Sequence, residues 1–231
     1  AACGRGECPA DAMLGILPGK MSARVAEKAC LVATLAPFEQ AADVLRRLTT
    51  IEVSPDCIED AALRAGTELV ERDRKEAESA GQEEVPVSCD ANSRAYFEAD
   101  GSMLNTRSDG WKENKLAMGF FEKDLQRSGT GENERIRIMR KDFVTDFAGG
   151  VEPFYKLVRL LAIRMRAFTA GQIIVISDGA VWIEKMFAEI FAPDRLAPGS
   201  RMIHVLDWFH TVEHLWKCAH RLFGEGSGRA Q

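Results

Sequence analysis

The chain has 231 residues, 46% of them hydrophobic and 28% charged, which is enough for one large domain or two small ones with a real core. The formal charge of -5 makes no overall demand for a nucleic-acid partner, but the balance is uneven. Residues 1–90 carry 10 basic and 17 acidic side chains; residues 91–231 carry 20 and 18. No apolar run is long enough to span a bilayer and no signal peptide is evident, so a soluble, cytoplasmic protein without a membrane partner is expected. The six cysteines are scattered, which argues against a disulfide framework and suits a reducing compartment. The chain begins at Ala1 without a methionine, which suggests a fragment.

The opening "CGRGECPAD" places Cys3 and Cys8 as half of a zinc site, or as two unrelated thiols. Zinc takes four ligands, and no second pair stands nearby. A helix follows from Met21 to about Pro37, with Ser22 as its cap. Pro37 ends it and opens a second helix, "PFEQAADVLRRLTT". A third begins at Ser54-Pro55, with Ile58, Ala62, Ala65 and Leu69 at helical spacing, and turns almost purely charged past Val70. Residues 1–84 therefore read as an all-α module. It resembles a helix-turn-helix unit, or is a small bundle that packs without reading DNA.

"ESAGQEEVPVS" reads as a linker, and residues 85–231 as a second domain. "SRAYFEADGSML" alternates and then turns at Asp100-Gly101, a hairpin signal. A second strand runs from Lys112 to Phe121, and "RIRIMRKDFVTDF" supplies a third. An amphipathic helix carries Phe154, Leu157, Val158, Leu161, Met165 and Phe168 on one side and Lys156, Arg159 and Arg166 on the other. Then come a strand at Ile173–Ser177, a helix from Ala180 to Phe191, the strand "RMIHVL", and a last helix from about Asp207. The order is three strands, helix, strand, helix, strand, helix, which predicts an α/β fold with a mixed sheet flanked by helices.

Asp100 and Asp178 each end a strand and each precede glycine. In an α/β sheet, the carboxyl ends of the strands form the rim where ligands bind. If the two strands are neighbours, the carboxylates converge and repel unless a cation lies between them. Oxygen-only ligands favour Mg²⁺ or Mn²⁺, and a pair of such ions is the usual device for in-line attack on a phosphodiester. The plainer reading makes both aspartates turn residues.

The stretches "FEADGSML", "GWKENKLAMGFF", "VISDGAVWI" and "VLDWFHTVEHL", in that order, resemble bacterial insertion-sequence transposases of the Kra type, within the broad DDE class. The upstream "PADAMLGI", "KMSARVAEKA" and "PFEQAADVLRRLT" are similar to the region before the catalytic core of that family. The resemblance implies an RNase H-like core. It makes Asp100 and Asp178 the first two catalytic acids and ligands of two Mg²⁺ or Mn²⁺ ions, with Asp207 and His210 as supporting residues. It implies DNA cleavage and strand transfer on double-stranded DNA, at transposon ends and a target, by a homo-oligomer associated with the bacterial nucleoid. The third acid of the family is a later glutamate, expected beyond Gln231, and without it the metal site is incomplete, so an inactive fragment is among the expectations. Lys112, Lys115, Arg159 and Arg166 are the candidate DNA-backbone contacts.

Two other readings stay open. His210, Glu213 and His214 fit the H-x-x-E-H pattern of a zinc metallopeptidase, with the histidines four apart on one helix face. The other alternative is a non-catalytic DNA-binding remnant of a transposase.

Overall fold

The structure is a computed structural model that describes residues 9–13, 15–17, 21–80, 85–131 and 134–224. Cys3 and Cys8 lie outside the described residues. The chain divides into two units, residues 1–73 and 74–231. No described helix is long and apolar enough to cross a membrane.

In the first unit, α1 (Pro9–Met13) leads into a two-residue ladder between β1 (Ile16–Leu17) and β2 (Met21–Ser22). Helix α2 (Ala23–Ala33) starts where the Ser22 hydroxyl accepts from the Val25 amide at 3.4 Å. Helix α3 (Phe38–Thr49) follows Pro37 and stops at Thr50, whose left-handed backbone closes it with a bond to the Arg46 carbonyl. Helix α4 (Pro55–Ser79) has Pro55 in its first position and the Ser54 hydroxyl on the Cys57 amide. The buried centre is small: Met21, Ala26, Ala29, Ala41, Leu45, Ile58 and Ala61. The expected α4 stripe shifts here. Ala61 is buried in place of Ala62, and Leu69 is 49% exposed, because α4 outruns the helices it packs on.

The second unit begins inside α4, ahead of the charged linker. Arg74 bonds the buried Asp146, and Ala77 joins the second core. Its sheet contains β3 (Asp90–Thr106), β4 (Gly110–Phe121), β7 (Asp142–Phe147), β8 (Ala170–Ser177) and β9 (Arg201–Leu206). The strand order is β7-β4-β3-β8-β9. β4 is antiparallel to β3 and β7, whereas β8 runs parallel to β3 and β9. A separate two-stranded ribbon, β5 (Leu125–Ser128) and β6 (Arg135–Ile138), stands between β4 and β7 in the chain. The expected third strand "RIRIMRKDFVTDF" is therefore two strands in two sheets, broken at Met139–Lys141.

Helices α5 (Val151–Met165) and α6 (Val181–Ile190) are the crossovers from β7 to β8 and from β8 to β9. Both pack on one sheet face, as right-handed connections in one direction require. Phe97 packs against Phe187 and Phe191 of the α6 side, with ring centroids 6.0 and 5.0 Å away. The α5 stripe is as read from its spacing, except that Phe168 sits in the 3-10 turn after the helix. The last helix, α7 (Trp208–Phe223), has no buried residue. The unit is thus α/β, a mixed five-stranded sheet flanked by helices.

The expected hairpin turn at Asp100-Gly101 is not there. β3 continues six residues further, and the chain turns at 107–109 into Gly110, whose φ is +70°. Asp109-Gly110 is thus the turning pair. The Thr106 hydroxyl holds the turn by bonding the Gly110 carbonyl and the Asp109 amide. Asp100-Gly101 stays extended because both pair with β4, at Leu116 and Lys115. A Cβ at Gly101 would stand 2.7 Å from Glu113 Oε1 and 3.7 Å from Trp182, so glycine lets those side chains approach.

Candidate functional site

Strand register assembles the site. Glu98 is opposite Ile176 across the parallel β3–β8 pair, so continuing the row by two residues sets Asp100 beside Asp178. On the other side Ser177 is opposite Leu206, and the Asp207 amide bonds the Ser177 carbonyl at 2.7 Å. Asp207 therefore follows Asp178 in the same row. β8 and β9 stop here while β3 runs on, so Asp100 lies in mid-strand but at the carboxyl end of the parallel part of the sheet.

Local bonds fix each carboxylate. Asp100 Oδ1 accepts from the Gly101 amide at 2.8 Å. Asp178 Oδ1 accepts from the Ala180 amide at 2.9 Å, an Asx turn that leads into α6, with Gly179 at φ +88°. Asp207 caps α7 by accepting from the Phe209 amide at 3.1 Å. Its other oxygen is 2.6 Å from His210 Nδ1.

The charges in this row act on one another. The hydrogen bond from His210 holds the Asp207 carboxyl below its ordinary range. The same bond raises His210 above its ordinary value, and the negative charges of Asp178 and Asp100 add to the effect. Glu98 belongs to this group although nothing in the motif marks it. It sits two residues before Asp100, so the alternation of β3 puts both on one face. Loss of hydration raises its carboxyl first, then the charges of Asp207 and Asp100. Its only sequence signal was that two-residue spacing.

Oxygen donors that repel one another suit a hard divalent cation. By donor chemistry Asp100 and Asp178 would hold it, with Asp207 beside them. Among the described residues, however, no three His, Cys, Asp or Glu side chains are gathered closely enough to form a metal-holding group. His210 and Glu213 are engaged elsewhere: His210 with Asp207, and Glu213 with Lys217 at 2.6 Å, which lowers the Glu213 carboxyl.

The four expected cation contacts separate. Lys112 is half-buried on β4. Lys115 is 2% exposed; its ammonium bonds the Gly149 carbonyl at 2.9 Å and lies 2.6 Å from Glu113, so it is not placed to meet a DNA backbone. It shows an outward charge in the sequence, but its strand position turns it under the helices. Arg159 lines a cleft of about 660 Å³ with Tyr155, Trp182 and Lys185. Arg166 ends α5 in a left-handed conformation at the amino end of β8, opposite the aspartates. Trp182 packs edge-on against Phe154 at 6.1 Å, while Trp111 is exposed.

No model of a known protein family matches this chain, and no curated protein matches it.

Proposed function

We propose that the chain carries the RNase H-like core of a DDE-type DNA transposase, related to the insertion-sequence enzymes of the Kra type. The observation that supports this reading is the shared register row of Asp100, Asp178 and Asp207 at the carboxyl end of the parallel part of the sheet, in mid-β3 and just past β8 and β9. The strand order, with one antiparallel strand beside the first strand and two parallel strands on its other side, is compatible with that core.

In this reading Asp100 and Asp178 bind Mg²⁺ or Mn²⁺ from one face. When bound, the cation supplies positive charge for phosphodiester hydrolysis and strand transfer. The protein's own part is placement. The Asx turn orients Asp178, the ladder to Leu116 fixes the Asp100 backbone, and the hydrogen bond to His210 holds the Asp207 carboxylate. Double-stranded DNA is the substrate, and a homo-oligomer the working form.

Mn²⁺ binding by the 231-residue chain, followed by water-proton relaxation, tests the core of the proposal. Wild type should bind, and both Asp100→Asn and Asp178→Asn should weaken binding by about tenfold or more. Equal binding by wild type and both variants would reject it. A zinc site on His210 and His214 predicts the opposite dependence, with Zn²⁺ lost on their substitution and the aspartates immaterial.

A further inference from the structure

Behind the Asp178 turn, on the helix-covered side of the sheet, three polar side chains meet outside the row of acids. Ser177 ends β8 and is 2% exposed. Its Oγ is 2.7 Å from His204 Nε2 on β9 and 3.3 Å from the Gly179 amide. His204 Nδ1 is 3.7 Å from Glu184 Oε1 on α6, longer than a hydrogen bond but close enough for the carboxylate charge to attract a proton on that nitrogen. The order serine, histidine, carboxylate is that of a nucleophilic triad, but the burial of Ser177 keeps an acyl substrate from its oxygen.

Hydrogen-bond accounting gives the group a direction. The Gly179 amide can only donate, so Ser177 Oγ accepts from it. The buried hydroxyl hydrogen then needs an acceptor, and His204 Nε2 is the one at hydrogen-bonding distance among its described contacts. That puts the imidazole proton on Nδ1, facing Glu184. The chain of bonds ends at Gly179, the residue between Asp178 and the Ala180 amide that holds its carboxylate. A second-row histidine oriented by a carboxylate is a general way to set the direction of a ligand.

We infer that Glu184, His204 and Ser177 form a directional relay that holds the Asp178 turn, making them positioning residues for the Asp178 carboxylate. The inference deepens the cation-binding reading and rests on it for its functional consequence. The relay itself has readouts that need no metal.

Long-range proton–nitrogen NMR of the 231-residue chain should show His204 protonated on Nδ1 with Nε2 as acceptor. The Nε2-protonated tautomer would overturn the relay. In His204→Leu the Gly179 and Ala180 amides should lose exchange protection, whereas His204→Gln, which keeps an acceptor for Ser177, should retain it. Unchanged protection in His204→Leu would also overturn it. Mn²⁺ affinity should fall about tenfold in His204→Leu and Ser177→Ala and stay near wild type in His204→Gln. Full affinity in both disruptive variants would remove the positioning role. If wild type itself binds no Mn²⁺, the cation reading and the positioning role fail together, and the tautomer and exchange results still decide whether the relay exists.

Discussion

On β3 the odd-numbered Ala95, Phe97 and Ala99 are buried under α5 and α6, while the even-numbered Tyr96, Glu98 and Asp100 face the other way and keep contact with solvent. The neighbouring strands repeat the division. Ala117, Val144, Ile173 and Val175 are buried on the helix side, while Met118, Phe120, Ile174 and Ile176 on the other side remain partly exposed. One set of strands thus has a closed face that supplies stability and an open face that presents carboxylates. The separation is useful because repelling acids destabilise a fold least where water can reach them. The row of acids also rests on strands whose opposite face is tightly packed, so the backbone beneath it is held firmly.

The largest effect should come from the closed face. Phe97→Ala removes a fully buried ring that touches Phe187 and Phe191, and should cost about 3–5 kcal/mol in urea unfolding. Tyr96→Ala, one residue away on the open face, loses a ring stacked on Phe120 at 5.0 Å and should cost only about 1 kcal/mol. Equal losses would erase the distinction between the faces.

Next in size is Gly149→Ala. A Cβ there would run into the Asp146 carboxylate, whose Oδ2 is buried and unbonded while Oδ1 accepts from Arg74 at 3.0 Å. The cost should be about 1–3 kcal/mol by thermal unfolding, because the crowded neighbour is a buried charge. A neutral result would mean that the Asp146 pocket yields easily.

Asp100→Asn and Asp178→Asn, on the open face, should change metal-free stability by less than about 0.5 kcal/mol, with a small gain favoured by relief of repulsion. A loss of several kcal/mol would make these carboxylates structural.

The smallest effect is a titration. His210 is held above its ordinary value of about 6.5. The stabilisation it draws from Asp207 is therefore complete below that pH and is lost as the pH rises through the raised value. Asp207 is depressed, so its share is present above its ordinary value and is lost as the pH falls through the lowered one. The NMR midpoint of the His210 ring proton should exceed 6.5 in wild type and drop in Asp207→Asn. An unmoved midpoint would dissolve the pair.

Signals carried within a few residues were legible in the sequence. The hydroxyls of Ser22 and Ser54 cap the helices they precede, and the α5 stripe is buried where its spacing says. The Asp-Gly turn signal was sound in kind: of three copies, Asp109-Gly110 and Asp178-Gly179 bend, with both glycines at positive φ, while Asp100-Gly101 stays extended. Local chemistry cannot choose between them, since the choice depends on where β4 pairs. Glu98 and Lys115 escaped for a related reason. Each has the charge of a surface residue, and only its strand register decides whether it joins the row of acids or goes under the helices.

By itself the sequence determined helix starts, strand rhythm and the aspartate, Asp178, that closes the apolar run of β8, because caps and side-chain periods act between residues close in the chain. Tertiary structure alone decided that β3 lies beside β8, that Asp100, Asp178 and Asp207 share a row, and that His204 stands behind the Asp178 turn. Backbone ladders join residues many positions apart through groups every residue carries. Strand neighbours are therefore chosen by how the whole apolar face is buried, and not by the residues that end up side by side.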